Sequence, residues 1–509
     1  MTSLPILSLL VFTPWIGAIV LATFRALPPK TARWLGLLFS LSTLALGCVA
    51  LSSFSPATPG MQLVEKHAWI SALNVHYHLG LDGLSLVLVL LTGLIAPLAL
   101  LASWRMERSP HFFNALFLAL QGAAIGVFLA LDFVHWFLFW ELSLVPAFFL
   151  LKIWGGPGAA RAAYQFVIYT IGGSAFMLLG FAALYAATGS FDFQGLAAMA
   201  ADGSLTAKLA SLGHFWPQAV FLGVLLGLAV KVPLYPFHTW LPPAYAEAPT
   251  GLSMFLTGVM SKMGLYGFLR ILWPIFPTQL HAAATPLLWL SLGGVVLSAF
   301  AALRQTDMKR MVAYSSINHL SYCLLALFAV AAGSPSATAG IESVSAFNGI
   351  ALQMFNHGLS AAALFFCVGV LEERSGGKRS LADFGGVRTA MPVFAGFCGI
   401  ALFSSLGLPG LNGFVGEFLL FRGIFGFTPW AAAIATLGLL ATALFLLTFW
   451  QRVFHGPQGA GVAQYRDLSG WEIATLVPAI ALMFVLGVYP QLLVQLFNPL
   501  FTAWSAHLP

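Results

Sequence analysis

Residues 230–270 read VKVPLYPFHTWLPPAYAEAPTGLSMFLTGVMSKMGLYGFLR, and their reading decides the fold. Two lysines, Lys231 and Lys262, each sit inside a long apolar segment. An ammonium at bilayer depth costs at least about 2.5–3.5 kcal/mol. The first segment is also broken, because Pro233 and Pro236 follow Lys231 and remove amide donors from the helix. Broken backbone at that depth is tolerated only inside protein or beside a water-filled cavity. A buried amine at a helix break therefore points to a proton or ion site. The alternative is that both lysines snorkel to an interface. Apolar sequence on both sides of Lys231, and the mid-segment position of Lys262 between Gly251 and Arg270, favour burial.

The rest of the chain agrees. Of 509 residues, 60% are hydrophobic and 7% charged, against about 25% charged in a soluble domain. An all-α polytopic membrane protein is expected, with no long polar stretch to build a soluble domain. The formal charge of +6 comes from basic residues spread over loops, which suits membrane topology and not nucleic-acid binding. The first apolar run, residues 4–24, is too long for a signal-peptide core, and Arg25, Lys30 and Arg33 follow it where such a peptide carries its charges first. Cys48, Cys323, Cys367 and Cys398 lie in separate apolar segments without metal-ligand spacing, and no glycine-rich phosphate loop follows a strand pattern. The polypeptide is expected to hold no redox cofactor or metal.

At roughly 20 residues per span, about 14 transmembrane helices are expected. They begin near Leu4, Trp34, Leu84, Phe112, Phe133, Arg161, Gln218, Thr250, Pro286, Met308, Ile341, Met391, Pro429 and Glu472. Placing the first loop in the cytoplasm and alternating puts Arg25, Lys30, Arg33, Arg105, Arg108, Lys152, Arg161, Arg304, Lys309, Arg310, Arg374, Lys378, Arg379, Arg388, Arg452 and Arg466 there. Only Lys66, Lys208, Arg270 and Arg422 fall on the other side. This bias places both termini outside. Two outer loops have internal patterns. Val75, Tyr77 and Leu79 alternate as in a short hairpin, which puts His76 and His78 on one face as a surface pair, with a metal site the alternative. Residues 197–212 suggest a short amphipathic helix.

A repeat is suggested by the order of breaks. Five helices over 112–273 include one broken at Lys231. Five more over 286–454 include one broken at Leu408, Pro409, Gly410, Leu411, Asn412 and Gly413. Five is odd, so the second copy would be inverted, with an ion pathway near the midplane. Three helices precede the copies within residues 1–111, and one follows within 471–509.

Charges inside the spans give the candidate site. Glu141, in WFLFWELSLVP, wants a cationic partner, and Lys231 is the natural one. Burial favours the neutral amine and a nearby carboxylate favours the ammonium, so a changing separation would load or release a proton; a static ion pair is the alternative. Lys262 is the next station. His319 (SSINHLSYC) and His357 (MFNHGLSAA) lie among Ser316, Asn318, Asn356 and Ser360, where an imidazole relays protons through its two nitrogens or simply packs. Glu417 follows the second break as the outlet, or as a protonated structural carboxyl. His238, just past the first break, would serve uptake from the cytoplasm.

These motifs carry a resemblance. WELSLVP, KVPLYPFHTWLP, EAPTGLSMFLTGVMSKMGLYG, QTDMKRMVAYSSINH and NGFVGEF resemble, in order and over nearly the whole chain, the antiporter-like subunits of respiratory complex I. Those subunits are shared with multisubunit sodium/proton antiporters and membrane-bound hydrogenases. Within the family the likeness is to the subunit M type of NADH-quinone oxidoreductase, the counterpart of mitochondrial subunit 4. The chain stops soon after its last helix, and Glu417 stands where the L and N types usually carry lysine. The resemblance implies two inverted five-helix bundles and proton translocation driven by remote quinone reduction. It implies Glu141 and Lys231 as a coupling pair, Lys262 and His319 as relays, and Glu417 toward the exit. It puts NADH, FMN, iron–sulfur clusters and quinone in partner subunits, with L-type and N-type subunits as neighbours in a bacterial inner membrane. The family commonly has Asp and His after the broken helix, where this chain has Pro243 and Tyr245, and often a lysine at the position of Gln165. A related ion-translocating assembly, or a membrane scaffold that has lost transport, are the other readings.

Overall fold

Long apolar runs close their backbone hydrogen bonds internally, and helices dominate for that reason. The computed structural model describes residues 4–24, 26–58, 60–333 and 339–505; Arg25, assigned above to a cytoplasmic loop, lies outside them. Among the described residues, 12 helices are long and apolar enough to cross a membrane, or 13 if the bent pair Ser204–Ser211 and Trp216–Lys231 counts as one. The shortfall from about 14 comes from the breaks. Trp216–Lys231 has 16 residues and Pro392–Ser405 has 14, each too short at about 1.5 Å per residue to cross some 30 Å alone. Helix starts otherwise fall near the expected positions, except that the helix expected from Pro286 begins at Pro277 and carries Pro286 inside it.

The helices sort by what surrounds them. Thr250–Ile275 and Ala339–Arg374 are buried along the whole apolar window, whereas Pro29–Ser53 turns Trp34, Leu38 and Leu41 outward. The inner helices carry the polar residues: Ser315, Ser316, Asn318, His319 and Ser321 are all buried on Met308–Ala332. A final amphipathic helix, Gln491–Ser505, was not anticipated. It buries Leu493, Leu496, Phe497 and Phe501 on one face, and Phe501 packs against Phe347 with ring centroids 5.5 Å apart.

The chain forms two compact units. The first holds the first 100 residues, 106–240 and 259–286; the second holds 101–105, 241–258 and 287 onward. In the first unit, Trp216–Lys231 packs closely on Ala159–Thr188 through glycines. A Cβ at Gly223 would lie 2.7 Å from the Phe176 carbonyl oxygen, and one at Gly227 would lie 3.0 Å from that of Gly173. Small residues at such contacts let membrane helices approach.

The predicted hairpin is present, as strands Gln62–Ile70 and Val75–Leu81 paired antiparallel. His78 is not a surface residue as expected. It is buried, because the hairpin lies over residues 130–132, with Leu131 donating its amide to the His78 carbonyl. Residues 197–212 form parts of two helices, Phe193–Ala201 and Ser204–Ser211, separated by Gly203 at φ +80°.

Candidate functional site

In the first unit, Trp216–Lys231 ends at Lys231 itself. Leu234 donates to the Ala229 carbonyl at 2.7 Å, and the Trp240 indole nitrogen donates to the Val230 carbonyl at 2.9 Å. The carbonyls that the prolines strip of amide partners are thus partly satisfied by a side chain and by longer-range bonds. Gln165 donates to the Thr239 carbonyl at 3.3 Å. Gly264 lets the next helix close on the break: a Cβ there would lie 2.9 Å from Val232 Cγ2 and 3.0 Å from its nitrogen.

Lys231 is 2% exposed. Among the described residues its Nζ has no hydrogen-bond partner. Instead it faces two rings, 5.1 Å from the Trp140 centroid and 5.7 Å from that of Phe166, and their electron-rich faces attract a cation. Trp140 is itself held by its indole N–H, which donates to Ser174 Oγ at 3.0 Å.

Glu141 is half-buried, where the sequence suggested full enclosure. It follows Trp140 in Phe133–Leu142, and the helix resumes as Leu144–Trp154 after Ser143. Its charge acts on Lys231, but no ion pair of 4.0 Å or less joins them among the described residues. It forms one wall of an open groove of about 360 Å³ with Leu138, Val145, Phe148, Tyr164 and Ile171.

Lys262 is fully buried on Ser261–Gly267, between two stretches of π-helix, Leu256–Met260 and Phe268–Leu272. Its Nζ donates to Ser261 Oγ at 3.3 Å. Such wide turns inside α-helices often occur at functional sites. His238 is half-buried in the broken segment and stacks on Tyr235, with centroids 5.2 Å apart.

In the second unit, Pro392–Ser405 and Asn412–Phe427 flank the second break. Gly407 and Gly410 adopt φ +77° and +94°, the left-handed region that glycine enters at little cost. The break is fastened by amides: Asn356 donates to the Asn412 carbonyl at 2.6 Å, and Asn412 returns a bond to the Asn356 carbonyl at 3.2 Å. Glu417 is 7% exposed, and its Oε1 lies 3.3 Å from His319 Nδ1. A Cβ at Gly407 would meet Glu417 Oε2, so a side chain there would push the carboxylate from this position.

Gln353 Nε2 also lies 3.2 Å from His319 Nδ1. One ring nitrogen cannot donate to Glu417 and accept from an amide at once. The position of a single proton therefore chooses between the two contacts. The His357 ring is 5.2 Å from that of His319. The structure thus brings Glu141 and Lys231 into one unit, and His319, His357 and Glu417 into the other.

Sequence reasoning missed two buried basic groups. Arg270, assigned to an outer loop, is 7% exposed and pairs with Asp82, with its Nε donating to Tyr266 OH at 3.1 Å. Lys309, assigned to a cytoplasmic loop, is 2% exposed, 2.6 Å from Glu372 and 3.2 Å from the Ala248 carbonyl. Arg379 extends that cluster to Glu247 at 3.3 Å and Asp307 at 3.2 Å. A charge at the end of a predicted span looks the same in sequence whether it is buried or in a loop. At the hairpin, Asp192 lies 2.8 Å from Lys66 and 3.6 Å from His78. Burial holds the His78 imidazole below its ordinary pKa, with Asp192 opposing in part. Among the described residues no group of three or more His, Cys, Asp or Glu could hold a metal ion.

Comparison with known proteins places relatives beside this geometry. Residues 130–444 match a family model described as NADH:quinone oxidoreductase/Mrp antiporter, TM. Residues 32–131 match one described as NADH-ubiquinone oxidoreductase chain 4, amino terminus. The chain is 37% identical to NADH-quinone oxidoreductase subunit M of Rhodobacter capsulatus over 505 residues, covering 97% of this chain and 95% of that one. It is 36% identical to F(420)H(2) dehydrogenase subunit M of Methanosarcina mazei over 504 residues, covering 96% and 95%. A chain in the structure of respiratory complex I from Thermus thermophilus with bound NADH superposes with a TM-score of 0.86 at 28% identity, covering 99% of this chain and all of that one.

Proposed function

This chain belongs to the NADH:quinone oxidoreductase/Mrp antiporter family of membrane subunits, among relatives of the subunit M type, and we propose that it translocates protons as one such subunit. Protons would move along Glu141, Lys231, Lys262, His319 and Glu417, with His238 and His357 as secondary stations. In this reading Glu141 and Lys231 form the coupling pair, and Glu417 faces the exit. Helices over 112–273 and 286–454 act as two inverted five-helix repeats. Quinone reduction in partner subunits supplies the driving force, and those partners carry NADH, FMN and iron–sulfur chemistry. L-type and N-type subunits flank the chain in a bacterial inner membrane, with both termini outside.

The observation that carries this reading is Lys231: buried, at a helix end, against aromatic faces and, among the described residues, with no hydrogen bond to hold its proton. An amine so placed has little to stop it losing that proton when Glu141 moves away. The His319–Glu417 contact supports the same reading in the other unit, since a single proton there changes which partner His319 binds. The test replaces Glu141 or Lys231 by alanine in the assembled complex. Proton pumping into sealed vesicles should fall sharply while the subunits remain together. Normal pumping by an assembled alanine variant would remove that residue from the pathway.

A second reading rests on the F(420)H(2) dehydrogenase relative. The same chemistry would then serve a sister assembly with a different electron donor. Identification of the polypeptides that co-purify separates the two: flavin and iron–sulfur NADH-oxidising subunits for the first, other redox subunits or small antiporter subunits for the second.

A further inference from the structure

Helices Asn412–Phe427 and Pro429–Phe454 meet at Thr428, and a groove of about 510 Å³ opens beside that turn. Its apolar walls include Phe418, Phe421, Phe425, Pro429 and Ala433, of which Phe418 and Phe425 are 56% and 63% exposed. Close by, Trp430 packs on Trp289 with centroids 4.7 Å apart, and both are exposed. Tryptophans collect where a span meets the headgroup layer.

Two charges line the same groove, Arg422 and Glu342. Arg422 Nε approaches Glu342 Oε2 only to 3.6 Å. Among the described residues that oxygen has no hydrogen-bond donor. Arg422 keeps 47% of its side chain exposed. Gly426 leaves room for the Glu342 side chain, since a Cβ there would lie 2.5 Å from Glu342 Cγ. The groove thus offers an apolar slot with an unsatisfied acceptor and an accessible guanidinium together.

We propose that this groove binds an aminophospholipid of the phosphatidylethanolamine class. Its phosphate binds Arg422, its primary ammonium donates to the part-exposed Glu342 carboxylate, and one acyl chain lies along the phenylalanines. The reasoning is by charge complementarity. An acyl chain entering the groove leaves one hydrocarbon environment for another, so the slot supplies shape and little selectivity. Selection falls to the headgroup. Guanidinium donors suit phosphate oxygens, and a carboxylate oxygen lacking a donor accepts an N–H from an ammonium. A choline headgroup has no N–H to give. A phosphatidylglycerol would satisfy Arg422 with the same phosphate, but its neutral glycerol head brings no cation to set against Glu342. The proposal is independent of the proton pathway.

The test is native mass spectrometry of the full chain in its membrane complex, released from nanodiscs of phosphatidylethanolamine, phosphatidylglycerol and phosphatidylcholine in equal parts with identical acyl chains. Phosphatidylethanolamine should be retained over phosphatidylcholine by about tenfold, the worth of one charge-assisted hydrogen bond. Glu342→Gln should remove that preference and raise phosphatidylglycerol retention. Thr436→Trp, which fills the groove and spares both charges, should displace the lipid altogether. Equal retention of the ethanolamine and choline lipids by the unaltered chain would overturn the proposal. So would a photo-crosslinker at Phe425 that captures a neighbouring polypeptide in the intact complex instead of lipid.

Discussion

At the first break, Lys231 faces two aromatic rings and, among the described residues, has no hydrogen bond. At the second, Glu417 has His319 3.3 Å away, and the backbone around it is fastened by Asn356 and Asn412. The first break leaves its charge dependent on a carboxylate that does not bond it directly. The second surrounds its charge with fixed polar partners. Ring quadrupoles attract a cation only weakly, and in the proposed reading its protonation follows the position of Glu141. A carboxylate beside an imidazole shares a proton at short range. Under the proposed function, that contrast would give coupling to the first break and relay to the second.

The largest effect that bears on this contrast is in transport. Lys231→Ala is expected to lower pumping in the assembled complex on the order of 10²-fold, the scale of a lost proton-transfer group. His319→Gln, read in the same vesicles, should cost less, because His357 lies close enough to carry part of the relay. Equal losses would erase the distinction between the breaks.

Stability gives a second handle. Asp82→Asn leaves Arg270 buried without its counter-charge, and should destabilise the first unit by about 3–5 kcal/mol. Asn412→Ala removes one of the two amide bonds at the second break, leaving the one to its own carbonyl, and strips Ser404 of its acceptor, at about 1–3 kcal/mol. Thermal unfolding of the purified complex reads both. A pair that is mostly exposed sets the lower bound: Arg105 and Glu373 are 68% and 49% exposed, and Arg105→Ala should cost at most about 1 kcal/mol.

The hairpin supplies a pH test outside the spans. Burial depresses the pKa of His78 in the folded chain, so the unfolded strand binds a proton more readily. Stability from this group is complete above the ordinary histidine value, near pH 6.5, and falls as the solution is acidified toward the lower folded value. Protection factors for amide hydrogen exchange in residues 75–81, with the intrinsic pH dependence divided out, should therefore fall between about pH 7 and pH 5. A His78→Asn chain should show less of that change once intrinsic exchange is subtracted.

The breaks were legible because proline and glycine interrupt otherwise apolar runs, and Lys231 and Glu417 because charge inside such runs is costly. The many apolar helices were legible for the same reason. Arg270 and Lys309 were not, since their partners, Asp82 and Glu372, lie far along the chain and pairing is a tertiary fact. The alternation at Val75, Tyr77 and Leu79 revealed the hairpin, but nothing local said that residues 130–132 would cover His78. The Lys231 environment was half legible: the sequence named Glu141 as its partner, while Trp140 and Phe166 are the groups that face it.

The most direct test of a proton-exchanging Lys231 is Lys231→Arg, measured as protons moved per electron transferred by the assembled complex. Arginine keeps the positive charge and the attraction to Trp140 and Phe166, but it does not release a proton in proteins. The account predicts an intact complex whose pumping has collapsed. Pumping at the unaltered ratio would show that only the charge matters there, and would contradict it.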